Sequence, residues 1–274
     1  MATPPSTYAL RLSDDELGRY RMMAARARAE EGDLWTLAGL VPGARVADVG
    51  CGPGAMLVTL AEVVGPTGHV VGVDADPAAV AAARAALAGA RLSDTPVAPG
   101  DVRPGRADST GLPPGSVDTA VLRHVLAHNG GAEQRIVDHL ATLVRPGGHV
   151  YLLDVDLTGA GLVHAAPEAA ELSARYVQWH ERRGNDPRVG RRLAELGRAA
   201  GLEVVAYRGW TVGGPAPRGI RGPAWAAREE LVRAGLATAA DVVRWDAAFT
   251  ALDAAPERPA LSLPVFAAVC RRPA

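Results

Sequence analysis

The residues best suited to do chemistry in this chain of 274 residues are three glycines and three acids. Gly50, Gly52 and Gly54 occupy every second position of the stretch Asp48-Val49-Gly50-Cys51-Gly52-Pro53-Gly54. Asp74 follows 20 residues after Gly54, and Asp108 lies further on. Alternating glycines suit a backbone that turns sharply with φ > 0 and that a ligand approaches too closely for a Cβ. An acid at the end of the following strand is placed to accept ribose hydroxyls. Two cofactors fit the loop: Gly50, Gly52 and Ala55 satisfy the relaxed dinucleotide pattern G-x-G-x-x-A, while Asp48 with Gly50, Gly52 and Gly54 forms Asp-x-Gly-x-Gly-x-Gly.

Positioning such a loop takes a strand before it and a helix after it. Residues 45–49 are a short apolar run, 55–64 have the length and residue types of a helix, and 70–73 form a second strand that ends on Asp74. Asp76-Pro77 is an N-cap followed by a proline at the first helical position, opening a helix over 78–87. A weak third strand is expected near 102–107, a fourth at 117–122, a helix over 131–143, and a fifth strand at 150–155 after Pro146-Gly147-Gly148. Upstream, Ser13 and Glu16 make a capping box for a helix over 14–31, which Gly32 stops, and a short helix at 34–40 follows. Residues 1–8 read as loose. Downstream come helices at 167–183 and 188–200, a strand at 202–207, helices near 224–234 and 239–252, and a final strand at 261–271. The pattern predicts an α/β fold: a doubly wound, Rossmann-like, seven-stranded and mostly parallel sheet with an N-terminal helical lid and an inserted helical cap. One structural domain is expected, comprising a lid over 1–43, a cofactor-binding core over 44–155, and the remaining sheet with its cap insertions over 156–274.

Composition narrows the function classes. Hydrophobic content is 48% and the net charge is −1, which gives no support for a nucleic-acid partner. All 29 basic residues are arginine, and pairs such as Arg182-Arg183 and Arg191-Arg192 have acids nearby, the mark of a solvated helix face. No apolar run approaches the roughly 18 residues of a membrane span. The first 15 residues show no secretory pattern, and Cys51 and Cys270 match no metal spacing, so reduced thiols in a cytoplasm are expected.

Five ordered motifs between about 45 and 155 resemble the class I S-adenosylmethionine (SAM) methyltransferases. They are Asp48 to Gly54; Val71-Gly72-Val73-Asp74-Ala75; Ala107-Asp108-Ser109 with Leu112-Pro113; Ser116-Val117-Asp118 with Arg123-His124; and Leu143 to Gly148. The nearest likeness is to the small-molecule branch, such as quinone-biosynthesis and natural-product methyltransferases. This resemblance implies SAM as cofactor, S-adenosylhomocysteine (SAH) as product and a small organic acceptor. Gly50, Cys51, Gly52 and Gly54 would line the methionyl part, Asp48 would draw the ammonium, and Asp74 would accept both ribose hydroxyls. Ala75 would lie against the adenine, Asp108 would take its N6 donor, and the Ser109 backbone N–H would reach N1. Arg123 would stand where cofactor and acceptor meet. Tyr20 suits a sulfonium as an aromatic face, although its place on an apolar helix face favours core packing.

A base is needed only if the acceptor must lose a proton, and His128 and His124 are the candidates, with His164 and His180 further off. Trp179, His180 and Trp210 are candidate substrate walls. A homo-oligomer could form through the N-terminal helix and the aromatic cap. The rival readings are an NAD(P)- or flavin-dependent oxidoreductase, which leaves Asp48, Gly54 and Asp108 without a job, a SAM-binding protein that does not catalyse, and an RNA methyltransferase, which the charge balance disfavours.

Overall fold

The computed structural model describes residues 14–219 and 221–274, and for 14–16 the backbone alone. The segment over 1–8 and the capping box of Ser13 and Glu16 lie outside the described residues. Strands β1 (Arg45–Val49), β2 (His69–Asp74), β3 (Gly100–Pro104), β4 (Val117–Arg123) and β5 (Val144–Val155) alternate with helices α2 (Ala55–Val64), α3 (Pro77–Ala90) and α4 (Glu133–Leu143). They are preceded by α1 (Asp14–Leu37). The five strands pair in parallel in the order β3-β2-β1-β4-β5. The chain therefore winds one way from β1 to β3 and crosses back to β4. A crevice opens at that reversal, beyond the carboxyl ends of β1 and β4.

The second half completes the sheet and adds the cap. It comprises β6 (Gly161–Val163), α5 (Pro167–Arg182), α6 (Leu193–Ala199), β7 (Glu203–Pro215), α7 (Pro223–Ala226), α8 (Arg228–Arg233), α9 (Ala239–Ala254) and β8 (Ala260–Arg271). β8 runs antiparallel to β5 and β7 antiparallel to β8, so the last two long strands form a hairpin whose connection carries α7 to α9. Both sheet faces are covered by apolar layers, and α5, α7, α8 and α9 gather a third cluster around Leu172, Trp179, Leu231 and the fully buried Trp245.

Several boundaries differ from those expected. Among the described residues the sheet has eight strands, because β6 adds three residues beside the start of β8. The third strand begins at Gly100 and ends at Pro104. Residues 189–192 form a 3-10 turn before α6, and the helix expected over 224–234 divides into α7 and α8. Most consequential, Gly32 does not stop the first helix: α1 runs unbroken through it to Leu37. A glycine inside a helix costs about 1 kcal/mol, and buried neighbours on both sides offset it here. Those neighbours are Ala27, Glu31, Leu34 and Trp35, all on the face turned to the sheet.

Candidate active site

The crevice opens into a cavity of about 1090 Å³, walled by the glycine loop, the carboxyl ends of β2, β4 and β5, the first half of α1, and the cap. All three loop glycines have positive φ, at 73°, 53° and 88° for Gly50, Gly52 and Gly54. Each glycine leaves room for a different neighbour. A Cβ on Gly50 would lie 2.4 Å from a Val125 methyl carbon, and one on Gly54 would lie 2.7 Å from Ala83 Cα of α3. At Gly52 the nearest atoms belong to the Tyr20 ring, at 3.8 and 4.0 Å. Gly52 alone thus turns its open side to the cavity and to α1, while Gly50 and Gly54 give up their side chains to internal packing.

Two acids frame the loop. Asp74, at the end of β2, accepts the Gly52 N–H at 2.8 Å and the Asp76 N–H at 2.9 Å, so its carboxylate fixes both the loop and the entry to α3. Burial raises its carboxyl above the ordinary value. Asp48, on β1, is 2% exposed, and its Oδ2 has no hydrogen-bond partner. Burial pushes this carboxyl up to about 7, against the pull of the Arg123 guanidinium. A buried acid with an orphaned oxygen, in a cavity wall, calls for a cationic or hydrogen-bonding partner.

Arg123 itself is engaged. Its guanidinium holds Glu31 of α1 through Nε at 3.1 Å and Nη2 at 2.6 Å. The Tyr151 hydroxyl at 2.8 Å and the Trp35 indole N–H at 3.1 Å donate to the same carboxylate. Glu31 was not visible as a site residue in the sequence, where it reads as the end of an amphipathic helix. Together with Arg208, which pairs with Asp33 at 2.7 Å and donates to the Glu30 carbonyl, it ties the second half of α1 to the sheet. The first half, carrying Tyr20, Met22 and Met23, lies over the cavity.

After β4 the chain makes a tight 3-10 turn over Leu126–His128 that places His124 and His128 in the cavity wall. His124 has φ of 57°, a left-handed conformation rare for a side chain of this size. The turn is held from behind. Asp154 at the end of β5 accepts the Ala127 N–H at 3.2 Å, and His180 Nδ1 lies 3.0 Å from the Ala127 carbonyl. Asn185 accepts the Gly130 N–H at 3.0 Å. Burial, reinforced by nearby cations, pushes the His124 imidazole down, and His128 down to about 3. Both rings are therefore neutral near pH 7, able to orient an acceptor but with little driving force to keep its proton. Asp154, another residue missed in the sequence, lines the cavity, and burial pushes its carboxyl up to about 6.

Of the other predicted site residues, Cys51 and Ala75 line the cavity. Asp108 and Ser109 lie beside it in a tight turn: Asp108 pairs with Arg106 at 3.0 Å, and the Ser109 N–H donates to the Arg106 carbonyl at 3.0 Å. Arg106 and Ala107 face the cavity in their place. The three residues read as substrate walls stand outside the lining. Trp179 belongs to the cap core, His180 lies behind the 3-10 turn, and Trp210 packs beneath Arg208 against α1. Trp225 and Phe249 line the cap side instead.

A family model described as a methyltransferase domain matches residues 46–148. This stretch is a methyltransferase domain. Its strand order is Rossmann-like, and the sequence resemblance implies SAM as its cofactor. An uncharacterised protein encoded in a Streptomyces fradiae transposon is 31% identical over 163 residues, 60% of this chain and 44% of that protein. An arsenite methyltransferase of Halobacterium salinarum is 31% identical over 124 residues, 45% of this chain and 30% of that protein. The chain thus matches less than half the length of these curated relatives. A SAM-dependent methyltransferase of Methanosarcina mazei shares the fold at 15% identity, with a TM-score of 0.52, over 84% of this chain and 92% of that one.

The residues in place fit the cofactor. Asp48, Gly52 and Asp74 all line the cavity, which brings together an acid suited to an ammonium, a loop glycine suited to a chain lying on the backbone, and an acid suited to a ribose diol.

Proposed function

We propose that this protein transfers the methyl group of SAM to a nucleophilic N, O or C atom of a small organic acceptor, of the kind met in secondary metabolism. The observation that carries this reading is the methyltransferase domain whose loop, acids and 3-10 turn open into one cavity roofed by an aromatic cap. Bound there, SAM would supply a methyl group activated by positive sulfur, and the acceptor's nucleophilic atom would bond to it in line as the C–S bond breaks and SAH leaves. The protein's part is then positioning, for which effective molarities reach about 10⁵ M or more. In this reading Asp48 holds the ammonium, Asp74 the ribose hydroxyls, and Gly50, Cys51, Gly52 and Gly54 shape the loop around the methionyl chain. Ala75 and the turn carrying Asp108 and Ser109 border the adenine, Tyr20 closes over the sulfonium, and Arg123 anchors the lid helix through Glu31. His128 and His124 orient the acceptor's nucleophilic group.

Arsenite, the acceptor named for one relative, fits poorly here. Soft arsenic is held by thiolates, whereas Cys51 in the glycine loop and Cys270 on β8 are both buried, and burial pushes both thiols up, Cys270 to about 12. No helix among the described residues is long and apolar enough to cross a membrane.

Incubating the protein with SAM labelled on the methyl group and a panel of small phenols, amines and quinols tests the proposal. Transfer of label to one class, with SAH formed in equal amount, is expected. SAH binding without transfer to any nucleophile would instead favour a SAM-binding protein that does not catalyse.

Asp48 also sets a pH dependence. Its folded pKa of about 7 lies above the unfolded value near 4. Any stability it contributes is therefore complete below about pH 4 and is lost as pH rises through about 7. Cofactor binding runs the other way, because an ammonium favours the ionised carboxylate. SAH affinity should accordingly rise between about pH 5 and 7 with release of a proton, and Asp48→Asn should flatten that rise. Calorimetry in two buffers of different ionisation enthalpy measures both; a flat wild-type profile would exclude Asp48 as the ammonium's partner.

A further inference from the structure

The cavity is larger than one ligand needs. Pockets for single drug-sized molecules run from roughly 300 to 1,000 Å³, whereas this one holds about 1090 Å³. The residues suited to the cofactor, Asp48, Gly52, Asp74 and Arg106, all lie on the side of β1 to β3. The remaining wall is built by the first half of α1, the cap and the β7–β8 hairpin, the last two turning Leu172, Tyr176, Val212, Trp225, Phe249 and Leu263 inward.

The part contributed by the cap and hairpin is largely apolar, and each charge on it has a partner. The cap and hairpin contribute three charged side chains to the described lining: Arg221, Asp253 and Arg258. Arg258 pairs with Asp253 at 3.1 Å and donates to the carbonyls of Ala216 at 2.9 Å and Pro217 at 3.0 Å. Asp253 also accepts the Gly219 N–H at 3.0 Å. Arg221 pairs with Asp246, and its guanidinium lies 4.5 Å above the Trp225 ring and 5.4 Å from that of Phe249. None of the three is left over to receive a carboxylate, a phosphate or an ammonium. A charged group placed here would lose its water without gaining a partner, a penalty of several kcal/mol. The wall is also firm, since Trp225 and Phe249 meet at 5.8 Å and pack on the cap's own core. The polar side chains where the two halves of the cavity join include His124, His128 and Asn129, with Arg19 of α1, itself engaged, close to both histidines.

We infer that the cap half of the cavity is a second subsite that takes an uncharged, largely apolar organic molecule, aligned so that its one polar group meets His128 while its body lies against Trp225 and Phe249. This rests on the methyltransferase reading only for the statement that such a molecule is the acceptor; the subsite itself follows from the cap. It disfavours amino acids, peptides, nucleotides and oxyanions as acceptors.

The test uses three naphthalene probes of matched shape: 2-naphthol, 2-naphthoate and 2-naphthylmethylammonium. Each is titrated into the full-length protein saturated with SAH. The naphthol should bind roughly tenfold or more tighter than either charged analogue and should leave SAH in place. Phe249→Ala should weaken naphthol binding about fivefold or more while SAH affinity stays within about twofold. Phe249→Leu, a milder change to the same wall, should give an intermediate loss and guards against misfolding of the alanine variant. A charged probe that binds as well as the naphthol, a naphthol that displaces SAH, or no naphthol binding up to its solubility limit would overturn the inference. Naphthol binding without any SAH binding would instead sink the methyltransferase reading and leave the subsite standing.

Discussion

Replacing Glu31 by alanine is expected to cost about 3–5 kcal/mol of folding stability, the range for removing one partner of a buried ion pair. The side chains of Glu31 and Arg123 are 3% and 10% exposed, so the guanidinium would be left in the interior without a carboxylate. The Tyr151 hydroxyl and the Trp35 indole N–H would lose their acceptor in the same stroke. For a chain of this size the loss corresponds to roughly 10 °C in the unfolding midpoint. Glu31→Gln keeps an acceptor oxygen and should cost less. The double variant Glu31→Leu/Arg123→Met, which removes both charges, should regain much of the loss, because an apolar pair of similar volume is often as stable as a buried ion pair. Thermal and urea unfolding of the three variants measures this directly. A loss below about 1 kcal/mol for Glu31→Ala would mean that the network is wet and that α1 is not anchored through it.

Asp74→Ala is expected to weaken SAH binding by about 2–3 kcal/mol, or roughly 30- to 150-fold. Two effects combine. The carboxylate already holds the Gly52 and Asp76 N–H groups, so its loss loosens the loop against which the cofactor lies. In the proposed pose the same carboxylate also accepts the ribose hydroxyls, a charge-assisted pair. Titration with adenosine separates the two, because adenosine carries the ribose but no methionyl chain to feel the loop. Asp74→Ala should weaken both ligands, and unchanged adenosine binding would show that the ribose lies elsewhere. Asp74→Asn, which retains one carbonyl oxygen, should fall between.

The parts of the site that could be read in the sequence are those whose cause is local. A glycine loop between a short apolar strand and an apolar helix needs only its own residues, and Arg45–Val49, Ala55–Val64 and the strand ending at Asp74 appear where expected. The N-cap at Asp76 is equally local, its side chain accepting the Ala78 N–H at 2.9 Å. The misread parts depend on distant partners. Gly32 looks like a helix stop until Glu31 is seen to hold Arg123 and Tyr151, 92 and 120 residues away. Asp154 is a lone acid in the apolar run Tyr151-Leu152-Leu153-Asp154-Val155, and its position at a strand's carboxyl end was the available signal. The tryptophans illustrate the same limit. Trp225 and Trp245 stand on the cap helices α7 and α9, yet one lines the cavity and the other is wholly enclosed. Side-chain type announced an aromatic cap; only packing decided which rings face inward.

The loop and the acids around it make one central claim, that this crevice holds SAM and not a dinucleotide. Calorimetric titration of the intact protein with SAH, and in parallel with NADH, tests it most directly. One SAH should bind per chain with an affinity in the micromolar range and NADH should not bind, whereas binding of NADH with none of SAH would contradict the account.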